Sequence, residues 1–279
     1  MKFVFNTTKH LAWLMACCFI LVSSSPADGI NTFTGEKGTL RISGGTAHIP
    51  VMKIAAQNVM GAHPDIQITI AGGGSGAGIK QVGEGLVQIG NSGRKASDAE
   101  IQKYGLSLYK WAIDGVGTVV HPENPVKALT SEQLQDIFAG RIDNWKALGG
   151  PDRAITVYTR DASSGTRSVF WKKALAKGAI SPKAQFVASN GAMKTAVAKN
   201  PYAIGYMSVG YIDPSVAPIS LDGVVPDLET VKSGKYKVSR GLYSNTKGPV
   251  TGLAEKFINY LLSPEGQKIV AKKGFVPVH

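Results

Sequence analysis

The chain has 279 residues, a formal charge of +12 and two cysteines, Cys17 and Cys18. Both cysteines lie in an N-terminal segment that reads as a removable leader, so the rest can form neither a disulfide nor a thiolate metal site. The positive charge favours acidic partners, yet it is dispersed in doublets such as Lys172-Lys173 and Lys272-Lys273 with no longer run, which argues against a nucleic-acid surface.

Met1-Lys2, Lys9, the apolar run Leu11 to Val22 and the small residues Ser23 to Ala27 have the layout of a secretory signal peptide cleaved before Asp28. The run is shorter than the roughly 20 residues a membrane-spanning helix needs, so a soluble protein of the periplasm is expected. Leu14-Met15-Ala16-Cys17 loosely resembles a lipoprotein box, but apolar residues continue past Cys18 and weigh against a lipid anchor at Cys17. Without residues 1–27 the chain keeps 252 residues at +10, enough for one large or two medium domains.

Thr39 to Ser43 alternates like a strand. Ile49, Met52, Ala56, Val59 and Met60 then recur at helical spacing, with Pro50 in the first turn where its missing N–H costs nothing. Ile66, Ile68 and Ile70 predict a second strand running into a glycine-rich turn and a helix. Leu86 to Ile89 begins a third unit, and Ser97-Asp98-Ala99-Glu100 predicts a helix start by a capping box.

Trp111 to His121 reads as a long extended apolar stretch, and Ser131 to Ala139 as a short amphipathic helix opened by Thr130. A strand, Ala154 to Thr159, leads into Arg160-Asp161-Ala162-Ser163-Ser164-Gly165-Thr166-Arg167 and a helix with a buried face through Val169, Phe170, Ala174 and Leu175. A helix from Asn190 to Lys199, a strand from Ala203 to Tyr211, a turn-rich stretch from Asp213 to Gly234, an extended segment from Tyr236 to Tyr243 and a helix from Leu253 to Ala271 complete the chain. This alternation predicts a three-layer α/β architecture. Extended crossings near Trp111 to Gly117 and near Arg240 to Ser244 fit a chain that leaves one lobe, builds a second and returns.

Four turns share one chemical design: Ser43 to Ala47, Gly72 to Gly78, Gly90 to Arg94, and Arg160 to Arg167. Each follows a strand, at or near the start of a helix, where unpaired N–H groups and the positive end of the macrodipole attract anions. Glycine allows close backbone approach, Ser and Thr add hydroxyl donors, and Arg94 and Arg160 add planar forks matched to an oxyanion. In an α/β sheet such turns gather at the carboxyl ends of the strands, so they are expected to converge on one small anion. The candidate set is Thr46, Ala47, Ser75, Ser92, Arg94, Arg160, Ser164, Gly165 and Thr166, supported by Ser43, Gly45, Gly74, Gly93 and Asp161.

Other chemistries fit less well. A P-loop needs Gly-Lys-Ser/Thr where Gly78 is followed by Ile79-Lys80-Gln81. A secreted serine hydrolase built on Ser75 would need a nucleophile elbow, which Ala77 breaks, and a base among His48, His63, His121 and His279, none in a suitable context. No histidine or acid cluster has metal-ligand spacing. No enzyme activity, metal or cofactor is expected, and the chain is expected to be a monomer.

The chain resembles the periplasmic phosphate-binding proteins that serve phosphate ABC transporters, over about residues 39 to 279. The resemblance rests on Ser43 to Ala47, Gly74 to Lys80, Gln88 to Arg94, Ile204-Gly205-Tyr206, Leu262 to Gln267 and, most specifically, Arg160 to Arg167. It implies a type II periplasmic-binding-protein fold, two α/β lobes joined by two hinge crossings, with residues 28–115 and 242–279 in one lobe and 116–241 in the other.

It also implies that inorganic phosphate is held between the lobes and passed to a membrane permease, the same frame also serving sulfate, molybdate or a small organic phosphate. Thr46, Ala47 and Ser75 would bind by hydroxyl and amide, Arg160 by its charged fork, and Ser164, Gly165 and Thr166 at a helix start, with Asp161 orienting Arg160. Some members carry in the third turn an aspartate that accepts the proton of phosphate. Here the position is Gly93, so the acceptor that would discriminate against sulfate must be another group, a main-chain carbonyl or Asp161.

Overall fold

The computed structural model describes residues 29–279; the stretch expected to be a signal peptide, with Cys17, lies outside the described residues. In chain order the elements are β1 (Gly38–Gly44), α1 (Ile49–Ala62), β2 (Ile66–Gly73), α2 (Gly74–Gly83), β3 (Ile89–Ser92), α3 (Asp98–Tyr104) and β4 (Leu106–Val120). They continue with β5 (Ala128–Leu129), α4 (Ser131–Ala139), β6 (Thr156–Thr159), α5 (Gly165–Lys173), β7 (Gln185–Phe186), α6 (Asn190–Ala198) and β8 (Ala203–Ser208). The last are β9 (Ala217–Pro218), β10 (Ser220–Leu221), α7 (Leu228–Lys232), β11 (Ser239–Lys247), α8 (Gly252–Leu262), α9 (Pro264–Lys272) and β12 (Val276–Pro277).

The sheet runs β2-β1-β3-β11-β4-β8-β6-β7, and β4 belongs to both halves. Its residues Leu106 to Gly115 pair antiparallel with β11, and Val116 to Val120 pair antiparallel with β8. In the first half β1 lies parallel to β2 and β3, and in the second β6 lies parallel to β8 and β7, so strand ends of each half point their following turns the same way. The two larger apolar cores among the described residues sit on either side of the crossing. One gathers Leu40, Ile42, Met52, Trp111, Phe257 and Leu261 in the first lobe; the other gathers Val120, Phe138, Trp145, Phe170, Tyr206 and Ile219 in the second.

Local sequence signals explain most boundaries. Ser97 and Glu100 form the reciprocal capping box of α3, and Thr130 with Gln133 does the same for α4. The expected C-terminal helix is two helices: Ser263 ends α8 in extended geometry, its Oγ accepts the Gly266 N–H at 3.2 Å, and Pro264 starts α9. Proline at that position has no N–H to continue α8, so the apolar periodicity across the break belongs to two segments. The strand expected to reach Tyr211 stops at Ser208 and gives way to a 3₁₀ turn, Val209–Tyr211. Within the stretch read as turns, Asp227 and Thr230 form a capping box that starts α7. Leu86, expected to open β3, is 58 % exposed, and β3 starts at Ile89.

Candidate oxyanion site

In the first lobe β1 ends on Gly44, whose φ is +117°. A Cβ there would lie 2.3 Å from the Asn91 carbonyl oxygen and 2.7 Å from the Gly78 Cα, so only glycine lets this strand end pack on α2 and β3. The Gly45 N–H donates to the Asn91 carbonyl at 2.8 Å, and Thr46, Ala47 and His48 follow as a buried 3₁₀ turn that runs into α1. His48 backs this turn. Its Nδ1 is 3.0 Å from the Gly45 carbonyl oxygen and its ring meets Trp111 edge-on at 5.5 Å. Burial, helped by Arg240, pushes its pKa down to about 3, so it is a neutral imidazole, and the adjacent carbonyl selects the tautomer with the proton on Nδ1. Ser75 is the second residue of α2, fully buried, and its Oγ accepts the Gly93 N–H at 2.9 Å.

In the second lobe β6 delivers Arg160. Tyr206, stacked on Phe170 at 4.1 Å in the core, places its hydroxyl where it accepts the Arg160 N–H at 3.1 Å. The Arg160 side chain is 1 % exposed; its Nη2 donates to the Ala188 carbonyl at 2.9 Å, while Nε and Nη1 have no hydrogen-bond partner in the protein. Burial lowers its pKa, but a guanidinium does not give up its proton, so a buried cation stands without an ion-pair partner among the described residues, the charge of neighbouring Asp161 reaching it only without a hydrogen bond. Such a group is strongly favoured only when an anion meets it.

α5 begins beside it. Ser164 caps the helix by accepting the Arg167 N–H at 3.2 Å, and the first-turn amides of Gly165 and Thr166 have no intrahelical acceptor by position. A Cβ on Gly165 would sit 2.1 Å from Ser75 Oγ, which is why the start of α5 can lie against the start of α2.

Hydrogen bonds tie the two lobes together around these groups. The Gly76 N–H donates to the Ser163 carbonyl at 2.9 Å, and Ser163 Oγ donates to the Gly73 carbonyl at 3.3 Å. Asn190 donates to Thr46 Oγ1 twice, from its backbone N at 3.2 Å and from Nδ2 at 3.0 Å, and the Tyr211 hydroxyl donates to the Thr46 carbonyl at 2.7 Å. The segment Ala188 to Asn190 therefore touches Arg160 at one end and Thr46 at the other. Thr46 meets the second lobe through Asn190 and Tyr211, and Ser75 lies against Gly165 at the start of α5, next to Ser164 and Thr166, while Ala47 follows Thr46 in the same buried turn.

The third turn and the supporting residues behave differently from the sequence expectation. Gly90 to Arg94 does not open a helix, because α3 starts only at Asp98. Arg94 is turned to Glu100, with two nitrogen–oxygen contacts of 2.7 Å, and this ion pair, reinforced by the Ser97 N–H, pulls the Glu100 pKa down to about 2. Ser92 Oγ donates to the Arg94 carbonyl and accepts from Asn245 Nδ2, which commits it to the first lobe's own framework. Asp161 is exposed and accepts the Ser163 N–H at 2.8 Å; it orients the turn and makes no hydrogen bond to Arg160. Ser43 is buried without a side-chain partner, and Gly74, at φ +86°, packs against Ser163.

Four residues of the junction were not singled out as site residues from sequence. Asn190 and Tyr211 are the second lobe's contacts with Thr46. Asp114 and Arg240 are direct partners on β4 and β11, both buried, joined through Arg240 Nε and Nη2 to Asp114 Oδ2 at 2.9 and 2.7 Å. Arg240 Nη1 also donates to the Gly93 carbonyl at 3.2 Å, and Ser208 Oγ donates to Asp114 Oδ1 at 2.8 Å. Burial pushes the Asp114 pKa up, but with these donors around both oxygens we read it as a carboxylate paired with Arg240. The available signal was an acid, Asp114, and a base, Arg240, each inside an extended stretch taken as a lobe crossing.

The arrangement offers donors and a cation but no nucleophile poised beside a base. Ser75 Oγ faces an amide, and His48 and His63 face the carbonyls of Gly45 and Ile30. Among the described residues no group of three or more His, Cys, Asp or Glu side chains could hold a metal ion, and no helix is long and apolar enough to cross a membrane.

The family model described as the PBP superfamily domain matches residues 31–265. The phosphate-binding protein PstS of Bacillus subtilis is 42 % identical, covering 97 % of this chain and 94 % of its own. Among solved structures, a Clostridium perfringens protein described as a phosphate ABC transporter substrate-binding protein with bound phosphate superposes with a TM-score of 0.82 at 39 % identity, covering 87 % of this chain and all of that one. An ABC-type phosphate transport receptor from Vibrio cholerae gives 0.69 at 33 % identity, covering 86 % of this chain and all of that one. A PBP-superfamily domain spanning most of the sequence, with PstS relatives matching along nearly its whole length, places the chain in the family of PstS phosphate-binding proteins.

Proposed function

We propose that this protein captures inorganic phosphate between its lobes and delivers it to the permease of an ABC transporter, binding without chemical conversion and acting outside the cytoplasmic membrane after removal of residues 1–27. The observation that carries the reading is Arg160, buried at 1 % exposure with two guanidinium nitrogens free of protein partners. The proposed ligands are Arg160, the hydroxyls and amides of Thr46 and Ser75, the Ala47 amide, and the start of α5 at Ser164, Gly165 and Thr166. Donors on both sides of the junction mean that only the closed arrangement engages the whole set, so the anion stabilises closure and the closed form meets the permease. We place the lobe division at residues 115/116 and 241/242, close to where β11 begins its pairing with β4 at Ser239 and Gly115.

A thermal melt of the purified, phosphate-stripped protein tests this. Phosphate at about 100 times its dissociation constant stabilises by roughly 2.7 kcal/mol, or about 5–10 °C for a chain of this size. Sulfate at matched ionic strength should shift the melt much less. Equal shifts would refute phosphate selectivity, and no shift with either anion would refute the binding reading.

Arg94 is left out of the proposed ligand set. Arg94→Ala should leave phosphate affinity within about twofold of wild type by calorimetry while costing about 1 kcal/mol or less of stability through the lost Glu100 pair. The pair's contribution has a defined pH window. The folded pKa of Glu100 is depressed from 4.5 to about 2, so the contribution is present above 4.5 and is lost as pH falls through that interval. Melts of wild type and Arg94→Ala should therefore converge in acid.

A further inference from the structure

Resting on the phosphate-binding reading above, we propose that Asn190, contributed by the second lobe, is a specificity-determining positioning residue that compels the Thr46 hydroxyl to act only as a donor toward the bound anion. A hydroxyl has one proton and two lone pairs. Both lone pairs of Thr46 Oγ1 are taken by Asn190, through its backbone N–H at 3.2 Å and its Nδ2 at 3.0 Å. The amide cannot turn to offer its oxygen instead, because Oδ1 accepts the Ser208 N–H at 3.0 Å. All three residues are buried, so water does not compete for these positions. The one remaining function of Thr46 Oγ1 is to donate its proton.

Ser75 and Ser164 are not constrained in this way. Each Oγ accepts one backbone N–H, from Gly93 and Arg167 respectively, and keeps both a proton and a free lone pair. Thr46 therefore demands an unprotonated oxygen of the anion, whereas Ser75 or Ser164 can receive a P–OH. Asn190 sits on the opposite lobe from Thr46, so this polarity is set only when the lobes meet.

The titratable groups around the junction do not blur this assignment near neutral pH. His48 is held down to about 3, Tyr211 is pushed up to about 12, Arg160 is a guanidinium, Asp161 is lowered below its ordinary value, and Asp114 is opposed by Arg240.

Calorimetric titration of wild type, Asn190→Asp and Asn190→Ala with inorganic phosphate and with sulfate provides the test. Asn190→Asp presents an oxygen to Thr46, turns the Thr46 proton toward that carboxylate, and leaves a lone pair facing the anion. Phosphate can meet that lone pair with its own proton and sulfate cannot, so the ratio of phosphate to sulfate affinity should rise at least about tenfold, equivalent to 1.4 kcal/mol. Asn190→Ala frees one lone pair, so the loss of phosphate affinity on acidification below the second ionisation of phosphate should be shallower than in wild type.

An Asn190→Asp ratio within about twofold of wild type would overturn the assignment, as would an unchanged acid slope in Asn190→Ala. If Asn190→Asp does not fold, the acid slope alone decides. If wild type binds neither anion, the phosphate reading fails and the assignment with it; if wild type binds phosphate and the variants keep its ratio and slope, only the role of Asn190 fails.

Discussion

Replacing Arg160 with methionine is expected to abolish the phosphate-induced thermal shift while making the phosphate-free protein more stable. The side chain is 1 % exposed, and two of its three guanidinium nitrogens lack protein partners. Truncating one partner of a buried, hydrogen-bonded charge pair costs about 2–5 kcal/mol of binding, a loss of roughly thirtyfold to several thousandfold. In the absence of the anion the same burial works against folding, and replacing buried ionic groups by apolar side chains of similar volume ranges from neutral to stabilising by about 1–4 kcal/mol. The variant should therefore melt above wild type without phosphate and show little further rise when phosphate is added, whereas wild type gains the equivalent of roughly 2.7 kcal/mol. A methionine variant that still shows the full phosphate shift would remove Arg160 from the ligand set.

Asp114→Asn should give the largest loss of stability among the changes considered. It leaves Arg240, 3 % exposed at its side chain, without its counter-charge at the point where both crossing strands meet. Breaking a buried ion pair from one side costs about 3–5 kcal/mol, which for a chain of this size lowers the melting temperature by about 6–20 °C. The variant also places a second uncompensated guanidinium near Arg160, since Arg240 already acts on the Arg160 charge. Phosphate should consequently recover a larger share of stability in Asp114→Asn than it adds to wild type. A melt unchanged by the substitution would show that the pair contributes nothing to the hinge.

Much of the fold was legible in local sequence because its signals are local. Pro50 in the first turn, the capping boxes at Ser97 and Thr130 and the alternation of Ile66, Ile68 and Ile70 each depend on neighbours a few residues away, and each predicted element is present. Boundaries failed where one periodicity covered two segments. The apolar pattern from Leu253 to Ala271 passes through Ser263-Pro264, and only the capping geometry there separates α8 from α9. The turns at Thr46, Ser75 and Ser164 to Thr166 carried a readable signal, glycine beside hydroxyls after a strand. Arg94 carried the same signal, and in the structure it is paired with Glu100, a carboxylate only six residues on.

The sequence by itself determined an α/β alternation, glycine and hydroxyl turns after strands, and an arginine placed beside a helix start, since helix caps, strand alternation and turn chemistry act over a few residues. Tertiary structure decided which of those groups face one another. Asn190 reaches Thr46 across 144 positions, Arg240 reaches Asp114 across 126, and Tyr211 reaches Thr46 across 165. Whether a guanidinium is balanced or left for an anion depends on the carboxylates that folding brings to it. Arg94 finds one six residues on and Arg240 finds one 126 residues away, whereas Arg160 makes no ion pair although Asp161 follows it directly in sequence.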